Sequence, residues 1–453
     1  MLLLRRRLPI PLLTLASSLH RSFASTAATA AGAPTTTSSI PPCTVQIDLA
    51  EGAVDTIGAK HRQIIGPRTL VVSTPGDRAE DPHVQRVLAR LRGVGIQCGT
   101  FSMLERYPTT QAVDEGVVIA KRMGAQSVVG VGGGGVLDLA KGVAALACAR
   151  GGGARDHLRV FHNEKALPAH RLAIVTVPTT ASTGGGSVGH RSFVLYEPEE
   201  ALVPLYAADL TPDVAVIDPS LTSTLPSQAE RAMALSAVSV CFDALACGSA
   251  RATLEKNGMA GLIITCATEL GAGMRLAGGG KPGDKKEQRR KRMHLAQGSV
   301  TAGQLLGLVE APPIQSLALC LAPLFPLASY SQLTAVLLRS YLAVLADRQQ
   351  QGDMGRLDVF NEAFLRQMGG VICGSDSGGG AVGLLELAEW VWGQSQQAGI
   401  RRLADYRVPD KEEKTGQALT AQVTSVLELF QVEGGVALET DVVRDVFDVS
   451  LGS

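Results

Sequence analysis

Several things are scarce in this chain of 453 residues, and each scarcity closes a class of function. Aromatic residues make up only 4% and do not interleave with the basic ones, so no stacking surface for nucleic acid is written here. Excess charge is absent: 42 lysines and arginines balance 42 aspartates and glutamates, which leaves no global attraction for a polyanion or a membrane surface. No apolar run reaches the roughly 20 residues that a membrane-spanning helix needs. The 8 cysteines, at 43, 98, 148, 241, 247, 266, 320 and 373, include no C-x-x-C pair, which fits reduced thiols better than a disulfide framework. There is no internal repeat. What is present is an apolar content of 45%, enough for two real cores at this length, and 50 glycines set within periodic segments.

Acidic residues are missing altogether before Asp48, while Arg5, Arg6, Arg7 and Arg21 stand among many serines and alanines. A basic, hydroxylated, acid-poor start has the composition of an organelle transit peptide. The rival is a secretory signal, since residues 8–16 are apolar, but Pro9 and Pro11 interrupt that run. The stretch RSFAST resembles an arginine-directed matrix-processing site, so the mitochondrial matrix is the expected destination, with a plastid as the alternative. Residues 1–40 are therefore read as transit peptide and linker.

From residue 41 to about 226 strand and helix patterns alternate. RTLVVSTP, IQCGTFS, SVVGVGG, HRLAIVTVPTT and VAVIDP read as strands, and DPHVQRVLARLRGVG, TTQAVDEGVVIAKRMG and GVLDLAKGVAALACA as helices. Strands separated by helices of this length predict a parallel sheet with crossover helices, an α/β domain of Rossmann-like type. In DPHVQRVLARLRGVG the apolar residues Val84, Val87, Leu88 and Leu91 mark the buried face. Beyond Pro226 the strand signal stops, and residues 227–453 read as an all-helical domain. The segment 276–292, LAGGGKPGDKKEQRRKR, reads as a glycine-rich basic loop between helices, solvated rather than nucleic-acid-binding.

Residues 127–142 read SVVGVGGGGVLDLAKG: strand, glycines, helix. That order lets backbone amides and a helix N-terminus face a pyrophosphate, because a Cβ would block the approach. By itself the run is equally a tight turn, and it matches neither G-x-G-x-x-G nor a P-loop. Its neighbours add more. GVGGGGVLDLAK, VTVPTTASTGG, LTPDVAVIDPSLTSTLP, FDALAC and GIRRLADYRVPDKE occur in the order of the motifs of the iron-containing (group III) alcohol dehydrogenases, which the chain resembles over about residues 45–450.

The resemblance implies that Gly132, Gly133, Gly134 and Gly135 face the pyrophosphate of NAD or NADP, with Gly135 in place of the family's serine. It implies that Asp138 and Lys141 hold the loop and helix start, where the plainer alternative is a helix-surface pair. Thr179, Thr180 and Thr183 would line the phosphate and nicotinamide side. Ser73 and Thr74 stand where many members carry an aspartate for the ribose 2′-hydroxyl, so NAD is not selected over NADP in the family's way.

The same resemblance fails at the metal. The family holds iron or zinc through one aspartate and three histidines; here the aspartate survives as Asp243, while Cys247, Gln315 or Ser316, Cys320 and Tyr330 stand at or near the other positions. No histidine follows His294. An open catalytic site needs about three suitable ligands, so iron or zinc is not expected. The chain also partly resembles maleylacetate reductases, regarded as metal-independent, though it lacks several of their histidines. Asp243, Cys320 and Tyr330 are then the candidate catalytic residues. The expectation is an NAD(P)-dependent oxidoreductase on a small alcohol, aldehyde or oxoacid, with no nucleic acid or membrane partner and a homo-oligomer left open. Two alternatives stand: a catalytically silent nucleotide-binding member with a regulatory role, and a thiolate-ligated metal enzyme.

Overall fold

The structure is a computed structural model and describes residues 45–74, 81–103, 105–158, 167, 170–196, 201–205, 210–247, 258–279, 284–309, 312–352, 359–374, 382–406, 445–447 and 449–450. The expected transit peptide, residues 1–40, and the C-terminal motif from 407 onward lie outside the described residues.

Six strands form one sheet: β1 (Gln46–Leu49), β2 (Arg68–Ser73), β3 (Gln97–Ser102), β4 (Ser127–Gly132), β5 (Ala173–Pro178) and β8 (Val214–Ile217), in the order β1-β8-β5-β4-β2-β3. Every pairing in it is parallel. The central strands are mostly apolar, and all six residues of β4 are buried, as a strand covered by helices on both faces must be. The connecting helices are α1 (Pro82–Gly93), α2 (Thr110–Met123) and α3 (Gly134–Leu146). Their ends follow local chemistry. Asp81 caps α1 by accepting from the His83 N–H, with Pro82 in the first turn; Thr109 caps α2, and Gly124 ends it in a left-handed conformation at φ 60°. The buried face of α1 is Val84, Val87, Leu88 and Leu91, the four residues its periodicity picks out.

Two features depart from the pattern expected of this half. β6 (Phe193–Tyr196) and β7 (Ala201–Pro204) make a separate antiparallel pair, and the short strand β1 pairs with β8.

The second half is helical: α4 (Ser227–Cys247), α5 (Met259–Gly279), α6 (Lys285–Leu308), α7 (Pro313–Leu321), α8 (Tyr330–Gln351), α9 (Val359–Cys373) and α10 (Leu384–Gln397). They enclose their own core, built on residues such as Leu235, Val238, Phe242, Leu270 and Leu338. The basic stretch read as a loop is corrected here. α5 runs to Gly279, and KKEQRRKR forms the first turns of α6. Asp284 starts α6 by accepting the N–H groups of Lys286 and Glu287 at 2.9 and 3.2 Å. Lys291 then turns inward, 6% exposed, to pair with Glu230 at 2.5 Å. A cap and a buried ion pair override the loop-like composition.

Candidate functional site

The sheet order reverses beside β4, because the chain moves from β2 to β3 on one side, returns to β4 and continues to β5 on the other. In parallel α/β sheets a crevice opens at such a point, beyond the carboxyl ends of the strands. Three of the candidate segments leave adjacent strands there: Ser73 and Thr74 after β2, the glycines after β4, and Thr179 and Thr180 after β5. Ser73 is buried and Thr74 exposed. The Thr179 N–H donates to the Gly132 carbonyl at 3.0 Å, so the β4 and β5 ends are tied together.

The glycine turn is built for an approach of backbone to ligand. Gly133 is the N-cap of α3 and has no side chain to occupy the first amides of the helix. A Cβ on Gly134 would meet nothing within 4 Å, so open space lies beside it. A Cβ on Gly133 would touch the Thr180 methyl at 3.6 Å, which places Thr180 against the turn; Thr183 lies further along, near Gly185. Gly135 differs from both. A Cβ there would stand 2.4 Å from the Arg106 carbonyl oxygen, so the family's serine has no room while the 105–108 segment lies over the turn.

Lys141 is fully buried, and its ammonium donates to the carbonyls of Gly185, Gly189 and Arg191 at 3.1, 2.7 and 3.1 Å. It therefore anchors the segment that follows Thr183 onto α3, which a surface pair would not do. Asp138, one turn earlier, accepts from the Phe193 N–H; burial pushes its carboxyl up, against the pull of Lys141 and that bond.

Across from the turn lies the helical half. Asp243 on α4 is fully buried and accepts the backbone N–H of Ile314 at 2.7 Å and of Gln315 at 3.1 Å. Burial pushes its carboxyl up to about 7, with those amides opposing. Gln315 is buried too. Its Nε2 donates to Ser239 Oγ at 2.7 Å, and its Oε1 accepts from the Tyr330 hydroxyl at 2.9 Å. Burial first, then the nearby Asp243, Tyr107, Asp138 and Cys320, holds the Tyr330 phenol well above its ordinary pKa. Burial likewise pushes the Cys320 thiol up to about 12. Asp243 and Cys320 thus lie within electrostatic reach of Tyr330, as does Asp138 on the glycine helix.

This donor set does not fit a divalent transition metal. Both Asp243 oxygens are engaged by helix amides, the Gln315 amide is bonded at both ends, and neutral Cys320 thiol is a poor ligand. Among the described residues no three His, Cys, Asp or Glu side chains come together as ligands. The Cys247 side chain lies outside the described residues.

One pair of residues escaped the motif reading. The 105–108 segment bridges the halves: the Arg106 guanidinium donates to the carbonyls of Pro326 and Ala328 just before α8, and Tyr107 packs on the helical core. Two residues in a loop give no periodicity or spacing by which to find them.

Comparison with known proteins places this geometry. The sequence model of "Iron-containing alcohol dehydrogenase" matches residues 45–219. The NAD-dependent methanol dehydrogenase of Bacillus methanolicus is 28% identical over 205 residues, 45% of this chain and 51% of that protein. Long-chain-alcohol dehydrogenase 1 of Geobacillus thermodenitrificans (strain NG80-2) is 26% identical over 308 residues, 68% of this chain and 71% of that one. The chain thus matches between about half and seven tenths of these relatives' length. The solved structure of the NADH-dependent butanol dehydrogenase A of Thermotoga maritima superposes at a TM-score of 0.67, covering 90% of this chain and 96% of that one at 22% identity. The fold, an α/β domain with a parallel sheet followed by a helical one, is the same.

Proposed function

Because this chain belongs to the iron-containing alcohol dehydrogenase family, we propose that it is an NAD(P)-dependent oxidoreductase acting on a small alcohol, aldehyde or oxoacid, and that it works without the family's metal. The carrying observation is the open, uncapped turn at Gly133 and Gly134 at the switch point of the sheet. Gly132 to Gly135 would hold the pyrophosphate on their amides and on the α3 N-terminus. Thr179, Thr180 and Thr183 would line the side toward the nicotinamide, and Ser73 and Thr74 the ribose. With no carboxylate at those two positions, neither NAD nor NADP is selected by repulsion of a 2′-phosphate.

A bound nicotinamide supplies or accepts the hydride. The chain's own part would be to keep water from a reaction space between the turn and the α4, α7 and α8 side, with Asp243, Cys320 and Tyr330 toward it. Relatives that are named for alcohols support the substrate class. The acid-free composition of residues 1–40 supports a mitochondrial matrix location, and a fluorescent reporter fused to residues 1–45 checks it.

The deciding experiment is fluorescence titration with NADH and NADPH on wild type and Gly134→Val. The Cβ of the branched side chain enters the space beside the turn, where no protein atom lies within 4 Å of it. Affinity should fall by at least about tenfold, the effect of losing one good hydrogen bond or more. Equal affinity in the folded variant rejects the pyrophosphate assignment.

A further inference from the structure

Tyr330 and Tyr107 both pack against the helical core, and their protons are placed differently. Ser239 Oγ donates to the Ser236 carbonyl at 2.7 Å, so it must accept from Gln315 Nε2 at 2.7 Å. That fixes which end of the amide faces Tyr330: Gln315 Oε1, an acceptor, takes the Tyr330 proton at 2.9 Å. The Tyr330 proton is therefore held inside the helical half. The Tyr107 hydroxyl oxygen is buried, and among the described residues its proton has no acceptor. Its polar neighbour, the Arg106 guanidinium, donates to that oxygen and cannot take its proton. A buried hydroxyl left with a free proton is costly and calls for an acceptor. The preceding residue, Arg106, rests its carbonyl against Gly135, one residue from the open space at Gly134, so the chain at Tyr107 passes close to the glycine turn.

We propose that Tyr107 is a catalytic residue whose hydroxyl bonds the substrate's oxygen and gives it a proton in carbonyl reduction. This rests on the oxidoreductase reading above. As the carbonyl carbon gains the hydride, the phenol O–H bond breaks and the O–H bond of the product alcohol forms. The electron pair of the broken bond stays on the Tyr107 oxygen, where the Arg106 charge faces it until a solvent proton restores the phenol. One aldehyde, one reduced nicotinamide and one proton give one alcohol and one oxidised nicotinamide.

The test is Tyr107→Phe in the full chain, with isobutyramide as an unreducible carbonyl probe. Three results are expected. Removing a buried hydroxyl whose proton has no acceptor leaves the melting temperature of the free protein unchanged or higher. The affinity for NADH or NADPH stays within about twofold, while isobutyramide binding to that complex weakens by about tenfold. Aldehyde reduction, assayed across a panel, falls by about a hundredfold or more in kcat, the usual scale for a lost proton donor. A lower melting temperature would mean that the hydroxyl has a structural bond, and overturns the assignment. So does equal isobutyramide affinity in the two proteins, undetectable binding in both included. A wild-type protein that takes up neither dinucleotide overturns instead the oxidoreductase reading beneath it.

Discussion

The Asp243 carboxylate accepts the Ile314 N–H at 2.7 Å, 71 positions away in sequence, and so caps a helix whose own N-cap residue, Pro312, has no side-chain acceptor. A residue that resembles a metal ligand is engaged instead at a helix N-terminus, where its two oxygens meet orphan amides.

That position makes stability depend on pH. Burial raises the Asp243 carboxyl to about 7 in the fold from an ordinary 3.8. Between those values the folded chain keeps a proton that the unfolded chain has released, so this contribution is complete below about pH 4 and is lost as pH rises toward 7. Asp243→Asn cannot ionise and should flatten the decline. At pH 4 it should cost about 1 kcal/mol through the weakened cap. Urea midpoints of both proteins from pH 4 to 7.5 decide; parallel curves reject the assignment.

Purified protein should carry no stoichiometric iron or zinc, and a chelator should leave its melting temperature unchanged. The reason is the chemistry of the donors, since the Asp243 oxygens and the Gln315 amide are already bonded within the fold. Elemental analysis checks this. Near-stoichiometric zinc that disappears in Cys247→Ser or Cys320→Ser would reveal a thiolate site and reinstate metal chemistry.

Restoring the family's serine at Gly135 should harm this chain. Its Cβ would lie 2.4 Å from the Arg106 carbonyl, and backbone is hard to move. Gly135→Ser should destabilise by about 1–3 kcal/mol, as overpacking does, measured by thermal or urea unfolding. If the variant is as stable as wild type, the 105–108 segment does not lie over the turn in solution.

Lys141→Met keeps the buried stem and removes the charge that gathers the carbonyls of Gly185, Gly189 and Arg191. The loss should be about 2–4 kcal/mol, from three unmade bonds to an ionised donor and an Asp138 left without its counter-charge. Hydrogen exchange should rise in the 185–193 segment in particular. Unchanged exchange there would count against Lys141 as its anchor.

The parts of this protein legible in sequence are those whose cause is local. The crossover pattern, the glycine turn at the end of β4 and the buried face of α1 each arise within a stretch of about sixteen residues or fewer, where period and backbone freedom speak directly. Where local signals conflicted, composition misled: the glycine-rich and basic stretch at 276–292 is mostly helix, because Asp284 caps it and Glu230, far upstream, receives Lys291.

What the order of residues determined by itself is a parallel α/β half with a ligand-approachable turn, a helical half, and a chain with no histidine beyond His294. Only the tertiary structure decided what the remaining polar groups do. Asp243 became a cap because α7 starts against it, the Tyr330 proton was committed because Ser239 orients Gln315, and Tyr107 was left with an unmet hydroxyl because Arg106 can only donate. Each of these is a hydrogen-bond polarity set by partners distant in sequence or by burial, and neither leaves a trace in the spacing of residues along the chain.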